Sequence, residues 1–150
     1  MEFGFRLAAA SDEDRIRELF IEMIRAVYGA DGGDGYPEGY LDKFFAGGED
    51  RIYVAERGGE VIAFLSVEVY REGGYVYLDD LSVTEECRGR GVGTKLIRLA
   101  EGYAKELGIP AIVFHVEKSN VNAHRLYKRL GYKDHEEQGT RILMVRDTGR

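Results

Sequence analysis

The sequence predicts an α/β (α+β) fold: a mixed, mostly antiparallel central sheet with a bulged fourth strand, flanked by about four helices. Three observations carry this reading. Apolar periods of two residues and of a helical turn succeed one another in the order β-α-α-β-β-β-α-β-α-β-β. One strand–helix–strand unit, residues 75–116, has the make-up of a parallel crossover, whereas short glycine turns join the other strands as antiparallel neighbours. In the fourth strand the alternation slips by one residue at Asp79-Asp80, which a β-bulge would accommodate.

Taken in order, residues 3–9 read as a short strand. Ser11, with Asp14 three residues on, resembles a capping box and opens a helix to about Tyr28. Ile16, Leu19, Phe20, Met23, Ile24 and Val27 form its buried stripe. A loop rich in glycine and aspartate, residues 29–35, leads to Pro37, which suits the first turn of a shorter helix bearing Tyr40, Leu41, Phe44 and Phe45. Strands at 51–57, 60–71 and 75–84 are separated by Gly58-Gly59 and Glu72-Gly73-Gly74. In the third of these, Val76 and Leu78 are apolar in one phase and Leu81 and Val83 in the other. The strongest helix is 92–107, with Val92, Leu96, Leu99, Ala100, Tyr103, Ala104 and Leu107 on one face and Gly108 at its end. A buried strand at 111–116 and a helix from about Asn120 to Leu130 follow, and strands 132–136 and 140–146 pair through a Gln138-Gly139 turn.

A length of 150 residues without repeat or linker suits one domain, 1–150. With 21 Lys+Arg against 27 Asp+Glu, the net charge of −6 disfavours nucleic acid as a partner and favours a cationic substrate. A 32% share of charged residues and the lack of a long apolar run argue against a membrane class. The start, Met1 to Leu7, has neither the basic segment nor the apolar stretch of a signal peptide. Cys87 stands alone, so neither an intramolecular disulfide nor a cysteine metal cluster is expected, and a cytoplasmic location fits. His115, His124 and His135 lie on different elements without ligand spacing, so no metal is expected.

Two segments carry chemistry. Cys87-Arg88-Gly89-Arg90-Gly91-Val92-Gly93-Thr94 is a glycine-rich turn feeding a helix N-terminus, a place where free N–H groups and the helix dipole suit a phosphate or pyrophosphate. It lacks the Gly-Lys-Ser/Thr of a P-loop and the third glycine of a dinucleotide fingerprint. It does satisfy Arg/Gln-x-x-Gly-x-Gly/Ala through Arg88, Gly91 and Gly93, although a purely structural turn would read the same way. Downstream, Asn120 near a helix start reads as an N-cap, and Tyr127 shares an apolar helix face with Ala123, Leu126 and Leu130.

In conjunction, Leu81-Ser82-Val83, Arg88-x-x-Gly91-x-Gly93 and Asn120-x-x-Ala123-x-x-Leu126-Tyr127, closed by Gly131-Tyr132, resemble the GNAT superfamily of CoA-dependent N-acyltransferases over roughly residues 5–145. The resemblance implies acetyl-CoA as cosubstrate, lying in a gap where the bulged fourth strand splays from the fifth, and direct acyl transfer to an amine in a ternary complex. It implies that the N–H groups of Arg88, Gly89, Arg90, Gly91, Val92, Gly93 and Thr94 hold the pyrophosphate. Leu81 and Val83 would pair with the pantetheine, and Asn120 would reach the cofactor through its amide. Tyr127, a phenol with an ordinary pKa of about 10, would protonate the departing sulfur, and a main-chain N–H at Leu81 or Ser82 would meet the oxyanion. Asp79 and Asp80, on the bulge, would bind the ammonium or take its proton, with Glu68 and Glu117 as further candidates. Cys87 stands where the family often has an aromatic residue; as a nucleophile it is a lesser alternative.

For the amine, the resemblance together with the acidic charge points to a small cationic diamine or polyamine, with Asp31 and Asp34 attracting a second ammonium. Tyr77-Leu78-Asp79-Asp80-Leu81 and Tyr127-Lys128-Arg129 look like segments of the diamine acetyltransferase branch, which differs in having Glu at the first acidic position and an aromatic residue near Thr140. Peptide N-termini and aminoglycosides are alternative acceptors. A non-catalytic acyl-CoA sensor and a nucleotide-binding module are alternative functions. A homodimer using Ile142, Leu143 and Val145 completes the expectations.

Overall fold

The computed structural model describes residues 2–29 and 33–148. Strands β1 (Gly4–Leu7), β2 (Arg51–Arg57), β3 (Glu60–Tyr70), β4 (Tyr75–Val83), β5 (Ala111–Glu117), β6 (Lys133–Gln138) and β7 (Arg141–Asp147) form one sheet in the order β1-β2-β3-β4-β5-β7-β6. Every neighbouring pair is antiparallel except β4 and β5, the expected parallel crossover. The helices are α1 (Glu13–Tyr28), α2 (Val92–Glu106) and α3 (Val121–Arg129).

Strand alternation gives the sheet two apolar faces. On one, α2 sets Leu96, Ile97, Ala100 and Tyr103 against Leu65, Val67, Val76, Leu78 and Ile112, and Tyr127 of α3 packs on the same cluster. On the other, Ile16 and Leu19 of α1 meet Leu41, Phe44, Val54 and Phe64. Each such side chain contributes about 1.5–3 kcal/mol when fully buried. The edge strand β6 is exposed along its whole length, and its Lys133, Asp134, Glu136 and Glu137 oppose pairing with another sheet.

The phase slip corresponds to a bulge. Leu65 pairs with Leu81 and Val67 with Leu78, so Ser66 alone faces Asp79 and Asp80. Just before it β4 leaves β5: their register ends at Tyr77 opposite Val113, although β4 runs on to Val83 and β5 to Glu117. A wedge opens between the two strands.

Local details differ from expectation. The Ser11–Asp14 capping box does not form; Asp12 is the N-cap of α1, without a side-chain cap bond. The Asp12 carboxylate instead accepts from the Ala9 N–H at 2.7 Å and pairs with Arg6 at 2.8 Å. The helix expected after Pro37 shrinks to a turn and a 3-10 segment, Asp42–Phe45, so three α-helices flank the sheet rather than four. Gly39, at φ +78°, breaks helical continuity there. The last hairpin turns at Gly139-Thr140, one residue later than expected, because Gln138 still pairs with Arg141. Among the described residues no helix is long and apolar enough to cross a membrane.

Candidate active site

The wedge is the mouth of a cleft of about 250 Å³ lined by the inner edges of β4 and β5, the end of α1, and Asn120 and Tyr127 from the start and body of α3. Its floor is apolar, with Leu65, Leu78, Ile97, Phe114 and Val116, while Tyr77, Asp79, Asp80, His115, Glu117, Asn120, Tyr127 and Arg141 supply its polar groups. The sequence-marked residues Asp79, Asp80, Leu81, Asn120 and Tyr127 thus share one wall-to-wall space.

The bulge fixes which backbone groups face it. The Asp80 N–H donates to Ser66 Oγ at 3.0 Å and the Thr84 N–H to the Ile62 carbonyl at 2.9 Å, so both point toward β3. Alternation then turns the N–H groups of Leu81 and Val83 toward the open edge. Ser82 does not belong with them. Its N–H faces β3 and, with the residue only 3% exposed, its hydroxyl donates to the Leu19 carbonyl at 2.9 Å on the α1 side. This corrects the expectation for Ser82, which holds α1 to the sheet, and leaves Leu81 of the two oxyanion candidates.

At the end of β4 the chain enters the glycine turn. Gly89 and Gly91 have φ of +75° and +82°, and Gly91 is the N-cap of α2 with no side-chain cap bond. No side chain therefore caps the first-turn N–H groups, including those of Gly93 and Thr94. Gly93 approaches β4 closely: a Cβ there would lie 3.6 Å from Leu81 and 3.9 Å from Val83. Arg88 is partly committed, since its Nε donates to the Val83 carbonyl at 2.8 Å and its guanidinium lies 3.5 Å from Glu22. Glu22 also accepts from the Thr84 hydroxyl and the Glu85 N–H, tying α1 to the turn. Cys87 is fully buried in the core, which makes it a packing residue and removes it as a nucleophile.

The two aspartates are held from the segment after α1. Tyr36 donates to Asp80 at 2.6 Å and Tyr40 to Asp79 at 3.1 Å. Phe20, Tyr36 and Tyr40 stack at 3.8 and 4.8 Å, and Arg17 secures the segment by donating to the Tyr36 carbonyl at 2.9 Å. Burial, and then the charge of Asp79, raise the Asp80 carboxyl to about 6 against the pull of Tyr36. Asp79 is raised as well, by burial and by Glu68. Glu68 itself lies behind the pair, 7% exposed and bound to Lys43 and to the Tyr70 hydroxyl, so it is not a cleft residue. Asp34 is exposed and outside the cleft lining, and Asp31 lies outside the described residues.

On the opposite wall, Asn120 caps α3 by accepting from the Ala123 N–H at 3.3 Å, which leaves its NH2 group for the cleft. Tyr127 packs edge-on to Phe114 at 4.6 Å, and burial raises its pKa. Both bland expectations, an N-cap and a packed tyrosine, hold alongside their place in the cleft.

Comparison with known proteins gives this geometry a family. The sequence profile of the acetyltransferase (GNAT) family matches residues 16–132. The chain belongs to that family. An uncharacterized N-acetyltransferase of Methanocaldococcus jannaschii is 30% identical over 149 residues, covering 94% of this chain and 89% of the relative. The PaiA N-acetyltransferase of Thermoplasma acidophilum, solved in complex with coenzyme A, has a TM-score of 0.78 at 17% identity, over 98% of this chain and 99% of its own. YncA of Salmonella typhimurium, solved with its cofactor acetyl-CoA, has a TM-score of 0.81 at 18% identity, over 100% of this chain and 96% of its own. At these identities the two structures establish the fold.

In this GNAT acyltransferase several residues were not marked as site residues by sequence: Tyr77, His115 and Arg141 on the polar wall of the cleft, and behind the wall Tyr36 and Tyr40 as partners of the aspartates and Ser66 beneath the bulge. Tyr77 and His115 sit at half-buried positions that alternate with buried ones along β4 and β5, and only the fold brings the two together.

Proposed function

We propose that the protein is a single-domain enzyme over residues 1–150 that moves the acetyl group of acetyl-CoA to a small cationic primary amine, diamine- or polyamine-like, by direct attack in a ternary complex. The observation that carries this reading is the opened β4 edge running straight into the uncapped N-terminus of α2. A β-edge with free N–H groups suits the amide-bearing pantetheine arm, and the turn from Arg88 through Thr94 suits its pyrophosphate. Both left-handed glycines lack the side chains that would crowd that anion, and the close approach of Gly93 to Leu81 and Val83 keeps turn and edge together.

Each residue then has a task. Gly89, Gly91, Val92, Gly93 and Thr94 offer main-chain donors to the pyrophosphate, and Arg88 and Arg90 add positive charge there. Leu81 and Val83 present backbone groups to the pantetheine, and Asn120 offers its NH2 group. The Leu81 N–H meets the negative charge developing on the acetyl oxygen. Tyr127, kept neutral by its raised pKa, gives its proton to the leaving sulfur. Asp79 and Asp80 hold the amine as its ammonium against the bulge and retain it by hydrogen bonds once it is neutral. Asp79 and Asp80 take hydrogen bonds from the neutral hydroxyls of Tyr40 and Tyr36, with Lys43 and Arg141 acting on Asp79 through their charge alone, and the pair favours a cation over a neutral or anionic acceptor.

The lone cysteine supports a cytoplasmic setting. The assembly we infer is a homodimer. Ile142 is buried in the core on the α2 side, whereas Leu143 and Val145 are half-buried on the opposite face of β7, which therefore offers the contact. A light-scattering mass twice the 16.9 kDa chain supports it, and a monomer mass contradicts it. The activity itself is tested by thiol release from acetyl-CoA across spermidine, putrescine, lysine analogues, aminoglycosides and N-terminal peptides. Release with cationic amines supports the reading; binding of acetyl-CoA without release from any amine identifies a sensor instead.

A further inference from the structure

An amine held as its ammonium by two carboxylates cannot attack a thioester until it loses a proton, and anchoring by anions makes that loss harder. Asp80 and Asp79 already accept hydrogen bonds from Tyr36 and Tyr40, which occupy carboxylate oxygens and partly offset the rise in pKa that burial gives both groups. The cleft wall beside them contains a different set of groups in sequence: Tyr77 Oη lies 2.6 Å from His115 Nδ1, His115 Nε2 lies 2.7 Å from Gln138 Oε1, and Gln138 Nε2 donates to Glu136. Tyr77 and His115 line the cleft, while Gln138 and Glu136 are exposed on the outer strand β6.

The far end of this chain fixes its polarity. An ionised Glu136 carboxylate only accepts, so the NH2 group of Gln138 faces it and the Gln138 oxygen faces His115. His115 Nε2 must then carry a hydrogen to make its 2.7 Å contact, which leaves Nδ1 as the bare nitrogen. Tyr77 therefore donates its hydroxyl hydrogen to Nδ1 and keeps its oxygen lone pairs for the cleft. Burial and the charge of Asp79 raise the Tyr77 phenol to about 12, so it stays neutral at working pH.

We propose that His115, reached through the Tyr77 hydroxyl, is the base that deprotonates the amine. The ammonium gives a proton to Tyr77 Oη as Tyr77 passes its own to His115 Nδ1; the products are a neutral amine and an imidazolium. The imidazolium keeps its Nε2–H bond to Gln138 and, half-exposed, releases its proton to solvent. The charged and titratable groups around it are Tyr77 from β4, Glu117 on its own strand, Glu136 from β6, Arg141 from β7, and Asp79 and Asp80 at the bulge. Tyr77 and His115 would be catalytic residues; Gln138 is a positioning residue that sets the tautomer.

This inference rests on the acetyltransferase reading, and wild-type thiol release with a cationic amine tests that reading first and separately. Given wild-type turnover, kcat/KM for the amine is then measured against pH for His115→Gln, Tyr77→Phe and the double variant, with folding followed by thermal melting. Each single variant is expected to lose about 10²-fold, and the double variant no more, because the two residues serve one transfer. The acidic limb of the profile should change shape in His115→Gln, leaving the contribution of Asp80, and imidazole added to His115→Ala should restore part of the rate. Gln138→Leu, which frees the tautomer, should shift the acidic limb while leaving KM for acetyl-CoA unchanged. Near-wild-type turnover in His115→Gln, losses that multiply in the double variant, or an unaltered pH profile with no imidazole rescue would each overturn the proposal.

Discussion

Replacing Asp80 by Asn should make the protein more stable and less active, by amounts that depend on pH. The native environment raises the Asp80 carboxyl from 3.8 to about 6, chiefly through burial and then through Asp79. A shift of about two units corresponds to about 3 kcal/mol. The sign follows from proton binding. Between the two values the folded protein holds a proton that the unfolded chain has released, so stability falls as pH rises through that window and the cost is complete above about 6. Asparagine keeps an oxygen for the Tyr36 hydroxyl but carries no charge. Wild type and Asp80→Asn should therefore be about equally stable near pH 4, with the variant ahead by about 3 kcal/mol near pH 8. For a chain of this size that is roughly 6–12 °C in Tm. Urea unfolding at several pH values measures the difference, and the same preparations give kcat/KM for the amine. That constant should fall roughly 10–10²-fold with loss of a charge-assisted contact to the ammonium. Parallel stability curves for the two proteins, or a variant less stable near pH 8, would refute the reasoning.

Other outcomes follow from single contacts. Tyr127→Phe should lower kcat about 10²-fold with little change in acetyl-CoA affinity, as steady-state kinetics and calorimetry together would show. Gly91→Asp should abolish acetyl-CoA binding by calorimetry: an aspartate at that N-cap occupies the free N–H groups, repels the pyrophosphate and strains a backbone at φ +82°. Ser66→Ala leaves the Asp80 N–H without its partner, so chemical denaturation should show a loss of about 1–3 kcal/mol together with weaker amine turnover.

The sheet was legible because its signals are local. The slip at Asp79-Asp80 required only the alternation on either side, and the structure puts Ser66 opposite both residues. The glycine turn was legible for the same reason: left-handed backbone at Gly89 and Gly91 is a property of the residues themselves. What sequence did not disclose depends on contacts between distant segments. Tyr36 meets Asp80 across 44 positions and Tyr77 meets His115 across 38, and no pattern within either segment marks those pairs. The Ser11 cap failed through competition, since Arg6 and the Ala9 N–H draw in Asp12. The acidic loop was expected to supply carboxylates to the amine site; Asp34 stays at the surface, and the neighbouring tyrosines enter instead. Ser82 shows the reverse case, a motif residue whose hydroxyl is spent on α1.

The central claim is that the wedge between β4 and β5 brings acetyl-CoA to an amine held by Asp79 and Asp80. Thiol release from acetyl-CoA, followed for wild type and Asp79→Asn/Asp80→Asn with putrescine and spermidine against neutral and anionic amines, tests it most directly. The account predicts turnover that favours the cationic amines in wild type and a preference that collapses in the double variant while acetyl-CoA still binds. Wild-type preference for a neutral or anionic amine, or a cation preference that survives loss of both carboxylates, would contradict it.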